Sequence, residues 1–163
     1  MLRGVGLVIL GGTVVSPGGP TAGGLRVADG VVAEIGPEVA AGPGDGVVDA
    51  GGCLVLPGGV DPHCHVMADL AGASRAAAMG GTTTVLSFSS PEAGEAPGPA
   101  LRRARDAVAG GGSATDVGLH AACYQPDELS GDDVSEVVAL GADAAGLGAA
   151  LVGGTVGSVS ATP

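Results

Sequence analysis

The sequence predicts an α/β protein: a small β-rich leader over residues 1–52, then an alternating β/α domain over residues 53–163. Three observations predict it. The first fifty or so residues are short β-branched runs broken by Gly pairs and Pro. From residue 53 the pattern changes to apolar runs alternating with Ala-rich stretches. Strict β-α alternation favours a parallel sheet or barrel with its helices outside. The 163 residues suit one ordinary domain and are short for two.

In the leader, Leu7–Leu10 and Thr13–Val15 flank Gly11-Gly12, which reads as a hairpin. Leu25–Ala28, then Asp29-Gly30, then Val31–Ile35 is a stronger hairpin, because Asp-Gly suits the two positive-φ positions of a type I′ turn. Residues 36–46 read as a Gly/Pro loop and Val47–Asp49 as a short strand. Beyond it, Cys53–Leu56 and Val60 are apolar around Pro57-Gly58-Gly59. Asp69–Met79 reads as a helix stopped by Gly80-Gly81, and Thr82–Phe88 as a β-branched strand. Pro99–Ala109 is the next helix, with Arg102, Arg103 and Arg105 on a solvated face, and Asp116–Ala122 the next strand. Ser130–Leu140 reads as a helix capped by Ser130, with Asp132 and Asp133 in its first turn and Gly141 as its stop. Ala144–Val152 is a fourth strand; residues 92–99 and 153–163 are loop-like.

Composition narrows the partners. Six Arg, no Lys and 17 acidic residues give a net charge of −11. Nucleic acid and anionic membrane surfaces are thereby excluded as expected partners, since both need a basic patch. Without Lys there is no Walker P-loop, no Schiff base and no carboxylated Lys ligand. Three Cys, at 53, 64 and 123, form neither a disulfide framework nor a Cys-rich zinc site, so a reducing cytoplasm is the expected compartment. The stretch Val5–Leu10 is too short and Gly-broken for a signal peptide, and no apolar run is long enough for a membrane span. Gly4-Val5-Gly6 lacks a third Gly and a preceding strand, so it is no dinucleotide fingerprint. With one Phe, one Tyr and no Trp, any core rests on Val, Leu and Ala.

The one dense constellation is Pro57-Gly58-Gly59-Val60-Asp61-Pro62-His63-Cys64-His65. In a strand, residues two apart share a face, so His63 and His65 project together while Cys64 points away. Two imidazoles so placed suit a shared Zn²⁺. Asp61, two residues earlier, is positioned to orient a ligating imidazole through its second nitrogen. The alternative is a pair of hydrogen-bonded, partly buried histidines. Pro62 fits a strand end better than its centre. His120 is a further candidate ligand, with a packed or hydrogen-bonded His as its alternative. Cys64 and Cys123 are read as buried thiols, and Asp116 and Asp143 as solvated turn residues.

Four stretches resemble the amidohydrolase superfamily, and within it the cyclic-amide hydrolases: dihydropyrimidinase, hydantoinase, allantoinase and dihydroorotase. They are Leu7–Val15, Val27–Gly36, Val48–Gly52 running through Leu54–His65, and Asp69–Thr83. A weaker likeness continues through Asp116–His120. The resemblance implies a (β/α)₈ TIM barrel with a small β-sandwich, one or two divalent metals (usually Zn²⁺) at the barrel mouth, and His63 and His65 as two of the ligands. It also implies a metal-bound hydroxide attacking a ring amide carbon, with a late Asp relaying the proton. A cyclic amide or ureide is then the substrate.

Three departures shape the expectation. A (β/α)₈ barrel takes roughly 200 residues or more, so the chain is expected to hold a truncated barrel, about its first half, behind a small β-sandwich leader. No residue is assigned a catalytic role, because the later His ligands and the Asp have no counterpart here. Gly146 stands where the family's carboxylated Lys belongs, and only Val66-Met67-Ala68 separates His65 from Asp69. The expected function is metal-dependent hydrolysis of cyclic amide C–N bonds; the alternatives are an inactive truncated homologue and a structural or metal-binding module. Self-association, or a complementary half-barrel chain, is the expected partner.

Overall fold

A computed structural model describes residues 6–123, 130–143, 149–153 and 158–161. They fall into two compact units, Met1–Pro57 and Gly58–Pro163.

The first unit is a five-stranded sheet: β1 (Leu7–Ser16), β2 (Gly19–Ala28), β3 (Val31–Gly36), β4 (Gly46–Asp49) and β5 (Leu54–Val55). The order is β3-β2-β1-β4, with β5 also on β1. Leu7–Leu10 and Thr13–Val15 are one strand, not a hairpin. Gly11, at φ 76°, absorbs a bulge where the pairing with β2 shifts between Ile9 and Gly12. The turn back comes instead at Pro17-Gly18. The Asp29-Gly30 hairpin forms as expected, with φ of 52° and 76°. Leu54-Val55 runs parallel to β1, so the unit extends through Pro57, five residues past the change in composition. The described residues of this unit supply one sheet and not the second layer of a sandwich.

One ion pair ties the long loop to this sheet. Arg26 Nη1 donates to Asp45 Oδ2 at 2.8 Å, and both side chains are almost fully buried. Asp45 also accepts the Gly42 and Gly6 amides, while Arg26 Nη2 donates to the Ala40 carbonyl. The Gly42 amide first, then Arg26 and the Gly6 amide, hold the Asp45 carboxyl at about 2.

The second unit runs β6 (Gly59–Cys64), a short 3₁₀ turn (Met67–Asp69), α1 (Leu70–Met79), β7 (Thr82–Ser89), α2 (Pro97–Ala109), β8 (Asp116–Cys123), α3 (Gly131–Asp143), β9 (Ala149–Gly153) and β10 (Ser158–Ala161). Its sheet order is β10-β9-β8-β7-β6, with β6 through β9 mutually parallel. Asp69 caps α1 by accepting the Gly72 amide at 3.0 Å, and Gly81 at φ 85° follows its end. The helix α2 begins at Pro97, two residues before Pro99, since proline suits a first helical position. Ser130 caps α3 reciprocally with Asp133, but α3 continues through Gly141, which therefore is not its stop. The tail is not all loop: β10 pairs antiparallel with β9. Gly146 and residues 144–148 of the fourth strand lie outside the described residues.

The core of this unit lies on one face of the sheet. Val85, Val117, Leu119 and Ala121 meet Leu101 and Ala104 of α2 and Val137 of α3. Alternation along β7 and β8 sends Phe88 and His120, which pair in register, to the opposite face. Among the described residues the sheet is open, with β6 and β10 at its two ends.

Candidate metal centre

Strand β6 brings the His-x-His motif to its C-terminal end beside β7. The pairing is irregular there. Asp61 lies opposite Val85 and Cys64 opposite Ser87, so three steps along β6 match two along β7. Pro62 sits inside this shift, on an end strand, where its missing N–H costs no ladder bond. Beyond the shift, the His63 and His65 rings stand edge to face with centroids 5.7 Å apart. Cys64 turns to the helix-covered face, where its thiol donates to the Leu86 carbonyl at 3.4 Å. Burial, and secondarily the Asp61 charge, push that thiol's pKa up.

Phe88 is the hub of the group. Its ring lies 4.5 Å from His63, 5.0 Å from His65 and 4.7 Å from His120, stacked on the last two. No motif singles it out in the sequence. The available signal was positional: the chain's one Phe falls at the C-terminal end of the strand next to the histidines.

Asp61 engages the motif differently from the expectation. Its Oδ1 accepts the main-chain N–H of His63 at 3.0 Å, so its described contact is with the backbone and not with an imidazole nitrogen. The contact is the local one in which an Asp side chain accepts the amide two residues on. His120 is buried, and its Nε2–H donates to the Pro62 carbonyl at 2.9 Å. It packs and hydrogen-bonds there. Among the described residues no group of three His, Cys, Asp or Glu gathers to hold a metal. Asp116 is exposed. The side chains of Cys123 and Asp143 lie outside the description.

Two imidazoles that share one divalent ion have a set ring spacing. An ion about 2.0–2.1 Å from one nitrogen of each ring, at a tetrahedral angle, separates the ring centres by about 5.2 Å. The observed 5.7 Å is within half an ångström or so of that. Beside His65 a cleft of about 430 Å³ opens, bounded by Met67, Phe88, Ser89, Arg103 and Ala104. The Arg cluster on α2 is not simply solvated: Arg102 pairs with Glu136, and Arg103 with Glu95 and the Ser90 carbonyl. Arg103 holds the Glu95 carboxyl below its usual range. Among the described residues no helix is long and apolar enough to cross a membrane.

No family model matches the sequence. The D-hydantoinase of Ralstonia pickettii is 35% identical over 144 residues, which is 83% of this chain and 31% of that protein. Dihydropyrimidinase 1 of Caenorhabditis briggsae is 37% identical over 95 residues, 53% of this chain and 19% of that protein. Among solved structures, the D-hydantoinase (dihydropyrimidinase) of Thermus sp. matches at a TM-score of 0.72 and 29% identity, over 82% of this chain and 31% of that one. Fold, motif and relatives together define a partial amidohydrolase. Within that superfamily the chain belongs with the hydantoinases and dihydropyrimidinases. It spans about 31% of the length of the hydantoinases it matches.

Proposed function

We propose that this chain supplies the first two metal ligands, His63 and His65, of a hydrolase acting on cyclic amide C–N bonds. The observation that carries the reading is the approach of the two imidazoles, centroids 5.7 Å apart, at the C-terminal end of the first strand of a helix-backed parallel sheet. Barrel enzymes place their chemistry at that end. A divalent ion bound there, Zn²⁺ by preference, lowers the pKa of water and polarises a ring carbonyl. The chain's own part is to hold the two imidazoles against Phe88 and to fix the His63 backbone through Asp61. No Lys is present to bridge a second ion.

The sheet is proposed to be a segment of a (β/α)₈ barrel and the leader part of a composite sandwich. A complementary chain, or a second copy, is proposed to meet the open sheet, and the cytoplasm is the proposed compartment. The second reading, an inactive homologue or metal-binding module, is favoured by a specific observation: only two ligands gather among the described residues, and tight zinc sites use three or four.

Metal titration and turnover together test this. The full chain is expected to bind Zn²⁺ weakly and substoichiometrically, with binding lost in His63→Ala and His65→Ala. It is expected to show no turnover of dihydrouracil, hydantoin or allantoin. One tightly held ion unaffected by His63→Ala would refute the ligand assignment. Hydrolysis dependent on His63 would show that two ligands on this chain suffice.

A further inference from the structure

We propose that His120 is a positioning residue that aims His63 by clamping the peptide between Pro62 and His63. The inference rests on the metal-ligand reading only for its purpose; the clamp itself is a statement about the backbone.

The Pro62 carbonyl and the His63 amide belong to one peptide plane. The His120 Nε2–H donates to the oxygen at 2.9 Å, and Asp61 Oδ1 accepts from the N–H at 3.0 Å. Both ends of the plane are therefore held, one from β8, two strands away, and one from β6 itself. Fixing this plane limits the rotation on either side of it and so the direction in which His63 leaves the chain. The plane lies inside the register shift between Asp61 and Cys64, where the ladder to β7 gives the least guidance. A free peptide at that point would leave the imidazole unaimed.

His120 is itself held on three sides. Ser89 Oγ–H donates to its carbonyl at 3.0 Å, its ring stacks on Phe88 at 4.7 Å, and its side chain is buried. Its Nδ1 is buried with no hydrogen-bond partner. A ring present only to fill space would be better served by Phe, which buries no orphan nitrogen. The polar ring gains through one contact, the Pro62 carbonyl. Metal-ligating histidines are sensitive to the groups that orient them; here the orientation passes through the main chain.

Two substitutions separate the donor from the ring. His120→Phe keeps the ring and removes the N–H; His120→Gln removes the ring and keeps an N–H at similar reach. Two readouts on the full chain are needed. In metal-free protein, amide hydrogen exchange at His63 is expected to accelerate in His120→Phe and to return toward the wild type in His120→Gln, with Val8 and Val14 in the leader unchanged. With Co²⁺ as the probe, His120→Phe is expected to lose about tenfold or more in affinity, and His120→Gln to retain most of it. Unchanged exchange at His63 in His120→Phe, or equal acceleration in both variants, overturns the proposal and leaves a packing role. If the wild type binds no Co²⁺ while exchange follows the donor, the metal reading fails and the clamp stands. If Co²⁺ binds equally to all three chains, His120 does not aim His63 and the proposal is overturned, while the metal reading stands.

Discussion

Replacing Phe88 by Leu tests whether one ring organises the histidine group. The side chain is 6% exposed and stacks on His65 at 5.0 Å and His120 at 4.7 Å, with interplanar angles of 23° and 22°. Each aromatic pair contributes about 0.5–1.5 kcal/mol beyond its buried area. His65 is solvent-exposed, so its pair belongs at the low end of that range. The His120 pair is buried and belongs nearer the top. Together they contribute about 1.5–2 kcal/mol, and the smaller side chain adds a cavity cost that full truncation to Ala would carry to about 3–5 kcal/mol in all. Phe88→Leu is therefore expected to destabilise the second unit by about 2–3 kcal/mol. Urea unfolding followed by circular dichroism, with hydrogen exchange at β7 and β8 to locate the loss, measures it. A double-mutant cycle with His120→Leu should return a coupling of about 1 kcal/mol. A loss below about 0.5 kcal/mol, or no coupling, would mean that the ring is not packed between imidazoles.

Further outcomes follow from the same geometry. Asp45 is depressed from its ordinary 3.8 to about 2; its contribution is present in full above about pH 4 and is lost as pH falls through about 2, so the leader's melting temperature should drop over that window and Asp45→Asn should flatten the dependence. Gly23 has φ 137°, and an added Cβ would lie 2.3 Å from the Gly36 carbonyl oxygen, a backbone atom. Gly23→Ala is thus expected to cost well over 1 kcal/mol, read by thermal unfolding, and wild-type stability would refute the β2–β3 geometry. Asp69→Ala removes the cap on α1 and should cost about 1 kcal/mol in urea unfolding. Iodoacetamide should modify exposed Cys53 before Cys64, whose thiol is partly buried and raised in pKa, as peptide mass spectrometry of timed samples will show.

The elements that the sequence displays plainly are those governed by local rules. Asp29-Gly30 has the backbone a tight hairpin needs, Gly80-Gly81 stops α1, and β-branched Thr82–Val85 extends. The misread elements were decided by partners far along the chain. Gly11-Gly12 has turn residues, yet β1 continues because β2 on one side and β4 and β5 on the other pair with both its halves. Gly141 has the composition of a stop, yet α3 passes through it, and β10 is formed by pairing with β9. At the site, two-residue alternation brings His63 and His65 to mind as neighbours. The register shift between Asp61 and Cys64, the Pro62–His120 contact and the central place of Phe88 all depend on cross-strand pairing. A single strand's sequence carries no record of that.

The run from β6 to β9 has a kinetic side. Among the described residues each of these strands pairs with its neighbours in chain order, so the strand pairing spans roughly thirty residues, and the longer His120–Pro62 contact follows once the strands are placed. Such an array can form by propagation, each β-α step adding to the last as in repeat proteins. Its local stability then rises with the number of neighbours. Among the described residues β6 has one strand neighbour where β7 and β8 have two, so within this array it is expected to open at lower free energy than they do. The strand carrying His63 and His65 is therefore the most easily frayed of the three. An ion bound by the two imidazoles, as proposed, would act as a latch on that opening, closing the end of the array by the free energy of its own binding.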